Sequence, residues 1–292
     1  MRVFFAYLTV VLIWSTTPLA IKWSGEGPGY LFGVTSRMMI GWVLVLLLLA
    51  VMRQPLPLNR KALGNYLAVS GHIYASMLAV YWASQYIPSG WIAVIFGLTP
   101  MLTALLATMT GERHLTFFKL AAYGLGVGGL AVIFGSALEY GPTAGLGILG
   151  VFAAAFLQAA SAVGVKRINA GLPALAQVGG GLTLAVPAYL LTWALLDGGW
   201  PAALPTTSLA SIAYLGIIAT PLGFALYFYV LKHLAVTRVA LITLITPVMA
   251  LLLGRIVNHE PITSRVILGS GLILTAVFIH EFRFVQRLGL RK

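Results

Sequence analysis

The sequence predicts an all-α polytopic membrane protein of ten transmembrane helices, arranged as two inverted five-helix repeats. Three observations predict it. First, 60% of the 292 residues are hydrophobic and only 8% are charged, against about 25% charged in a soluble domain. A chain so poor in polar groups cannot cover a water-soluble globule, so soluble enzymes and disordered scaffolds are excluded. Second, the apolar residues form continuous runs of about 20, the length a helix needs to cross a bilayer, rather than the alternation of an outer-membrane barrel. Third, the second half of the chain repeats the pattern of the first.

The spans follow in order. The first covers 3–22. It has one early arginine and continues through Trp14-Ser15-Thr16-Thr17-Pro18 to Lys22 with no small-residue cleavage site, so it is read as a span and not as a removed signal. The second, 29–51, holds Arg37. The 50 residues between Lys61 and Glu112 carry no formal charge and accommodate the third and fourth spans, 62–85 and 89–110, with a tight turn. The fifth, 117–136, carries a Gly124–Gly128 pair at packing spacing. The sixth is 144–165. The seventh, 173–196, contains Gly179-Gly180-Gly181 and Pro187, which read as a bend or a cavity wall. The eighth is 208–231. The ninth is 235–257, and the tenth, 264–283, carries Gly269 and Gly271. Ten such spans leave only short links, and no soluble domain fits.

The formal charge is +12. With the N-terminus on the cytoplasmic side, 14 of the 18 lysines and arginines fall inside, Lys22, Arg255 and Arg265 fall outside, and Arg37 falls within a span. The positive-inside rule accounts for the basic charge without nucleic acid. It places both termini in the cytoplasm of a bacterial inner (plasma) membrane.

A shift of 147 residues lays Leu98-Thr99-Pro100 on Ile245-Thr246-Pro247, and Tyr81-Trp82 on Phe228-Tyr229. A shift of 144 lays Lys22 on Lys166 and Trp14 on Gln158. Five spans per copy is an odd number, so the second copy lies upside down. The repeats are 1–142 and 143–292, acting as a single transport unit with the site near the midplane between them.

On Ile13-Trp14-Ser15 and Pro18, on Leu98-Thr99-Pro100 followed by Gly111-Glu112, and on Ile245-Thr246-Pro247 followed by His259-Glu260-Pro261, the chain resembles the EamA-type members of the drug/metabolite transporter superfamily. The resemblance covers the whole chain in two copies. It implies ten helices, inverted repeats and export of metabolites such as amino acids, and it is nearest to the aromatic amino acid exporters. The second copy departs from the pattern where nothing matches Arg37. The resemblance also places Trp14, Tyr74, Tyr81, Trp82, Trp91 and Phe96 on site-lining helices, where some would form an apolar wall for flat substrates.

The substrate-binding candidates are Trp14, His72, Tyr74, Ser76, Tyr81, Trp91, Phe96, Gln158 and Arg37. Polar groups inside a membrane are costly and by default functional. His72 and Ser76 share a helix face, as do Tyr74 and Tyr81. Two readings stand for Arg37: it snorkels to the outer surface, or it attracts a substrate carboxylate. Pro100 and Pro247 are predicted helix-kink positions that free the carbonyls of Phe96 and Thr243. The six acidic residues all fall at span ends or in links, which favours a facilitator over a proton antiporter. Coupling through His72 is the alternative, with multidrug, nucleobase or other metabolite export. The expected partners are a small-molecule substrate, foremost amino acids, and the lipid bilayer, with one chain as the transport unit. No cofactor or metal is expected, since there is no cysteine and no zinc or phosphate-binding motif. A membrane-embedded enzyme, the remaining class, lacks the protease motifs GxSG and HExxH.

Overall fold

The computed structural model describes residues 2–109, 117–234 and 236–289. Within them the chain forms ten helical runs and no strand. They are α1 (Arg2–Gly25), α2 (Tyr30–Val51), α3 (60–83), α4 (Ser89–Met109), α5 (Phe117–Tyr140), α6 (Ala144–Ile168), α7 (Ala174–Leu196), α8 (206–233), α9 (Val236–Asn258) and α10 (Ser264–Gly289). Among the described residues, nine of the ten are long and apolar enough to cross a membrane. The exception, α3, carries Arg60, Lys61, Asn65, Ser70 and His72 and is the most polar run. It is an all-α multi-pass membrane protein. Most helices are apolar on every side, as expected of segments bathed in lipid or protein and never in water. Their outward faces expose Phe5, Leu12, Leu47, Leu191 and Leu268.

The sequence sets the ends. Asn59 caps α3 by accepting from the Ala62 amide at 2.9 Å, and Pro173 precedes the first turn of α7. Asn169 ends α6 in the left-handed region at φ 44°, a conformation asparagine tolerates at a helix C-terminus. Gly27, at φ +96°, sits so close to Pro205 that a Cβ would meet its ring at 2.8 Å.

Two runs are locally widened to π geometry. In α3 the wide turn spans His72–Ser76, and in α8 it spans Tyr214–Leu222 around Pro221. Elsewhere α7 stays one continuous helix through Gly179-Gly180-Gly181 and Pro187. The glycines serve packing: Gly179 lies against Leu49, Gly180 against the Tyr66 ring and Gly181 against Val69, so α2 and α3 both press onto α7. The α5–α10 contact also differs in detail from expectation. Gly124, Gly128 and Gly271 face open space. Gly129 and Gly269 make the close approach, each Cβ position falling within 2.6–2.7 Å of the other's carbonyl oxygen.

The helix pairs in principal contact are α5·α10, α2·α7, α4·α9, α3·α7, α2·α8, α1·α9, α4·α6, α1·α8 and α3·α6. Exchange each helix for the one five places along the chain and this set maps onto itself. The core runs through the middle of the bundle, with Tyr81, Trp91, Ile95, Ile148, Leu182, Tyr189 and Leu215 fully buried.

Candidate functional site

Polar side chains converge where α2, α3, α7 and α8 meet. Gly41 of α2 lies beside Thr220, whose Cγ2 would stand 3.0 Å from an added Cβ, and Gly216 of α8 lies beside Ile40 and the Arg37 carbonyl. These two small residues let α2 seat against the wide turn of α8. Arg37 is thereby held in the interior, 8% exposed. Its Nε donates to Thr220 Oγ1 at 3.5 Å and its Nη1 to the Tyr81 hydroxyl at 3.4 Å. The guanidinium also stands 6.0 Å from the Tyr81 ring centre. The snorkelling reading of Arg37 is corrected by this burial: its side chain runs into the bundle.

The wide turn of α3 forms the next layer. A π turn misaligns the helical ladder and leaves carbonyls in need of other donors. Tyr189 of α7 supplies one: its buried hydroxyl donates toward the carbonyls of Ile73, at 2.5 Å, and Tyr74, at 3.0 Å. The Tyr74 and Tyr189 rings meet edge to face at 5.0 Å, and the Tyr74 hydroxyl bonds Thr192 Oγ1. Ser76 is fully buried and donates to the Ala154 carbonyl at 2.8 Å.

The Ser76–Ala154 bond and the 2.8 Å Ser161–Ala68 bond fix the antiparallel register of α3 against α6. In that register Gln158 is level with Gly71 and His72. His72 Nδ1 and Gln158 Oε1 are both buried and have no hydrogen-bond partner. Arg37 lies within electrostatic reach of His72, Tyr189 and Tyr214. On the α1 side, Tyr214 bonds Thr16 Oγ1 at 2.6 Å. Trp14, half-buried, stacks on Tyr227 of α8 with ring centres 4.8 Å apart.

The remaining candidates lie elsewhere. Trp91 is fully buried near the start of α4, its ring 5.6 Å from that of Tyr140. Phe96 is half-buried and borders the core. The two prolines differ. Pro247 sits inside continuous α9. Pro100 sits in the first turn of a segment that restarts at Thr99 after a turn at Gly97-Leu98, a position where its missing amide matters least. The Phe96 carbonyl accepts from Thr99 Oγ1 at 2.7 Å. The helices α4 and α9 cross at these motifs, with a Cβ on Gly97 falling 3.8 Å from Pro247.

Sequence reading did not single out Tyr189, Tyr214 or Thr220, and it took Glu260 only as part of a motif at a span end. Thr220-Pro221 was the available signal, since it repeats the Thr-Pro pairs of α1, α4 and α9. Glu260 is buried, not merely at a span end. It accepts from the Ser89 amide and hydroxyl, both at 2.9 Å, and from Asn258 Nδ2 at 3.0 Å. Lys22 Nζ stands 3.7 Å from it. This cluster ties the ends of α1 and α9 to the start of α4. The predicted Gly111-Glu112 motif lies outside the described residues. A separate shallow groove of about 500 Å³ between α1 and α8, lined by Arg2, Phe5, Thr9, Leu226 and Tyr229, does not coincide with the central cluster.

A buried cationic and hydroxyl cluster inside a multi-pass helical bundle with a self-matching contact pattern is the construction of a solute carrier. The profile of the EamA-like transporter family matches residues 1–135 and again residues 145–280, and the chain belongs to that family. It is 26% identical to the uncharacterized transporter YoaV of Bacillus subtilis, over 98% of this chain and 99% of that one. It is likewise 26% identical to a probable amino-acid metabolite efflux pump of Escherichia coli, over 94% and 93% of the two chains. A probable terminal-alkyne amino-acid exporter of Streptantibioticus cattleyicolor is 24% identical over 97% and 94%. One solved crystal structure shares the fold with a TM-score of 0.64, covering 98% of each chain at 20% identity.

Proposed function

We propose that this transporter exports neutral amino acids, aromatic ones foremost, by alternating access and down their own gradient. The observation that carries this is the central cluster: Arg37, His72 and Gln158 among Tyr74, Tyr81, Tyr189 and Tyr214, with no ion pair to Arg37 among the described residues. Aromatic rings offer stacking surface to a flat side chain. Buried groups with spare hydrogen-bonding capacity suit the polar end of an amino acid. The printed names of the Escherichia coli and Streptantibioticus relatives support export and an amino acid cargo.

In this reading residues 1–142 and 143–292 are two inverted repeats, and the self-matching helix contacts support that division. One chain forms the transport unit. Both termini face the cytoplasm of a bacterial inner membrane, which the distribution of lysine and arginine supports. Trp14, Tyr74 and Tyr81 contribute aromatic surface, while Trp91 and Phe96 lie outside the central cluster. Pro100 and Pro247, where α4 and α9 cross, form the hinge region. With no carboxylate beside His72 or Arg37, substrate leaves without exchanging for a proton.

The test is efflux from vesicles carrying the purified protein, using a panel of neutral, acidic and basic amino acids, with and without a pH gradient. Saturable efflux of phenylalanine and related solutes that the gradient leaves unchanged is the expected result. Uphill accumulation driven by the gradient defeats the facilitator reading and favours coupling through His72. Efflux of none of the amino acids defeats the cargo assignment.

A further inference from the structure

Arg37 lies seven residues into α2, about 10 Å from the helix start at 1.5 Å per residue, and 8% exposed. Its guanidinium has five N–H donors. Two neutral hydroxyls, at 3.4 and 3.5 Å, are the partners it finds. The sequence supplies no counter-ion from any helix around it. The acidic residues are Glu26, Glu112, Glu139, Asp197, Glu260 and Glu281, so α1, α2, α3, α7 and α8 contain none. Arginine stays charged under all ordinary conditions. An interior cation without a carboxylate is costly, and a chain retains one where a ligand completes it.

We infer that Arg37, oriented by Thr220 and joined by the Tyr81 hydroxyl, is the subsite for the carboxylate of the transported solute, and that its charge excludes cationic solutes. This rests on the amino acid reading above and narrows it. The planar fork of donors matches a carboxylate in two parallel bonds. The Tyr81 hydroxyl accepts from Nη1 and keeps its own proton to donate to the same carboxylate, whereas Thr220 Oγ1 already donates to the Leu215 carbonyl at 2.9 Å and serves to hold Nε in place. The ammonium group, on the carbon next to the carboxylate, then needs an acceptor of its own, and Gln158 Oε1 is a buried acceptor without a partner. A solute with a positive charge and no carboxylate meets only repulsion from Arg37 in a poorly screened interior.

The experiment measures thermal stabilisation of the full chain in detergent by four probes: phenylalanine, phenylalaninamide, 3-phenylpropionate and chloride. Vesicle efflux of phenylalanine and its amide is measured alongside. The acid and the phenylpropionate are expected to stabilise the protein, and the amide to bind at least 10-fold more weakly. R37Q is expected to lose the preference for acid over amide. R37K, which keeps the charge but not the fork, is expected to keep the preference with weaker binding, and it serves where R37Q does not fold. Equal stabilisation by acid and amide in the unsubstituted protein overturns the inference. So does an intact preference in R37Q, a shift reproduced by chloride alone, or no shift with any probe. The two readings fail separately. Efflux of acid and amide at equal rates sinks the carboxylate subsite and leaves amino acid export standing. Arg37-dependent binding of phenylpropionate without any amino acid efflux does the reverse.

Discussion

At the scale of single residues, the decisive groups are polar atoms whose partners lie on other helices. Tyr189 is the clearest. Its hydroxyl meets the two carbonyls loosened by the wide turn of α3. Tyr189→Phe keeps the ring, and with it the edge contact to Tyr74, but leaves buried carbonyls without a donor. The expected cost is about 1–3 kcal/mol, read as a lower unfolding temperature in detergent, together with slower efflux. His72 and Gln158 are expected to behave in the opposite way. Their buried Nδ1 and Oε1 atoms have no partner to lose. His72→Ala and Gln158→Ala should therefore reduce efflux far more than they reduce thermal stability. Unchanged flux in either variant removes that residue from the site. His72, Gln158 and Arg37 were legible because an ionisable or amide side chain stands out in an apolar run. Tyr189 and Tyr214 were not, because a tyrosine within a span reads equally well as packing, and only the partner helix reveals what its hydroxyl does.

At the scale of elements, span positions could be read from charge and apolar length, and the ten helical runs fall on them. The wide turns of α3 and α8 could not. Widening a turn by one residue leaves composition unchanged and shifts the face of the helix, a change that apolar segments hide. Glycine roles were hidden for a related reason. Whether Gly128 or Gly129 touches α10 depends on the rotation of α5, and only Gly129 does. Gly129→Leu should accordingly disrupt the α5–α10 pair, whereas Gly128→Leu should be tolerated. Thermal unfolding of the two variants separates them, and equal destabilisation would contradict the assigned contact. The Glu260 cluster also belongs to this scale. It joins α1, α4 and the α9–α10 link through Lys22, Ser89 and Asn258. Glu260→Ala strips several buried donors of their shared acceptor, at an expected cost on the order of 3 kcal/mol. Glu260→Gln, which retains one acceptor oxygen, should cost less.

At the scale of the whole molecule, the Glu260 cluster bears on which end of the bundle is shut. Trp23 Nε1 donates to Asn258 Oδ1 at 3.0 Å, and Lys22 Nζ donates to the Ile87 carbonyl at 3.2 Å. Together with the Glu260 contacts these bonds draw the ends of α1, α3 and α9 together beside the start of α4, at one end of the molecule. In the proposed alternating cycle these bonds part once per turnover, because a solute leaving by that end would pass between these helices. The chain contains no cysteine, so introduced thiols report without background. A Trp23→Cys, Asn258→Cys pair joined by a short thiol cross-linker should hold this end shut and abolish efflux. The two single substitutions with the same reagent should leave most of it. Loss must reverse when a cleavable cross-linker is reduced, which separates trapping from damage. The proposed inverted repeats add a further constraint. Lys166, which the 144-residue shift lays on Lys22, stands at the end of α6, at the opposite face of the bundle. Thiol reagents should therefore reach a single cysteine at Ser24 only when the Lys22 end is open, and a saturating inward gradient of substrate should raise that rate. Full efflux through a cross-linked Trp23–Asn258 pair would mean that this end is static, and that the cluster holds the fold together without gating the path.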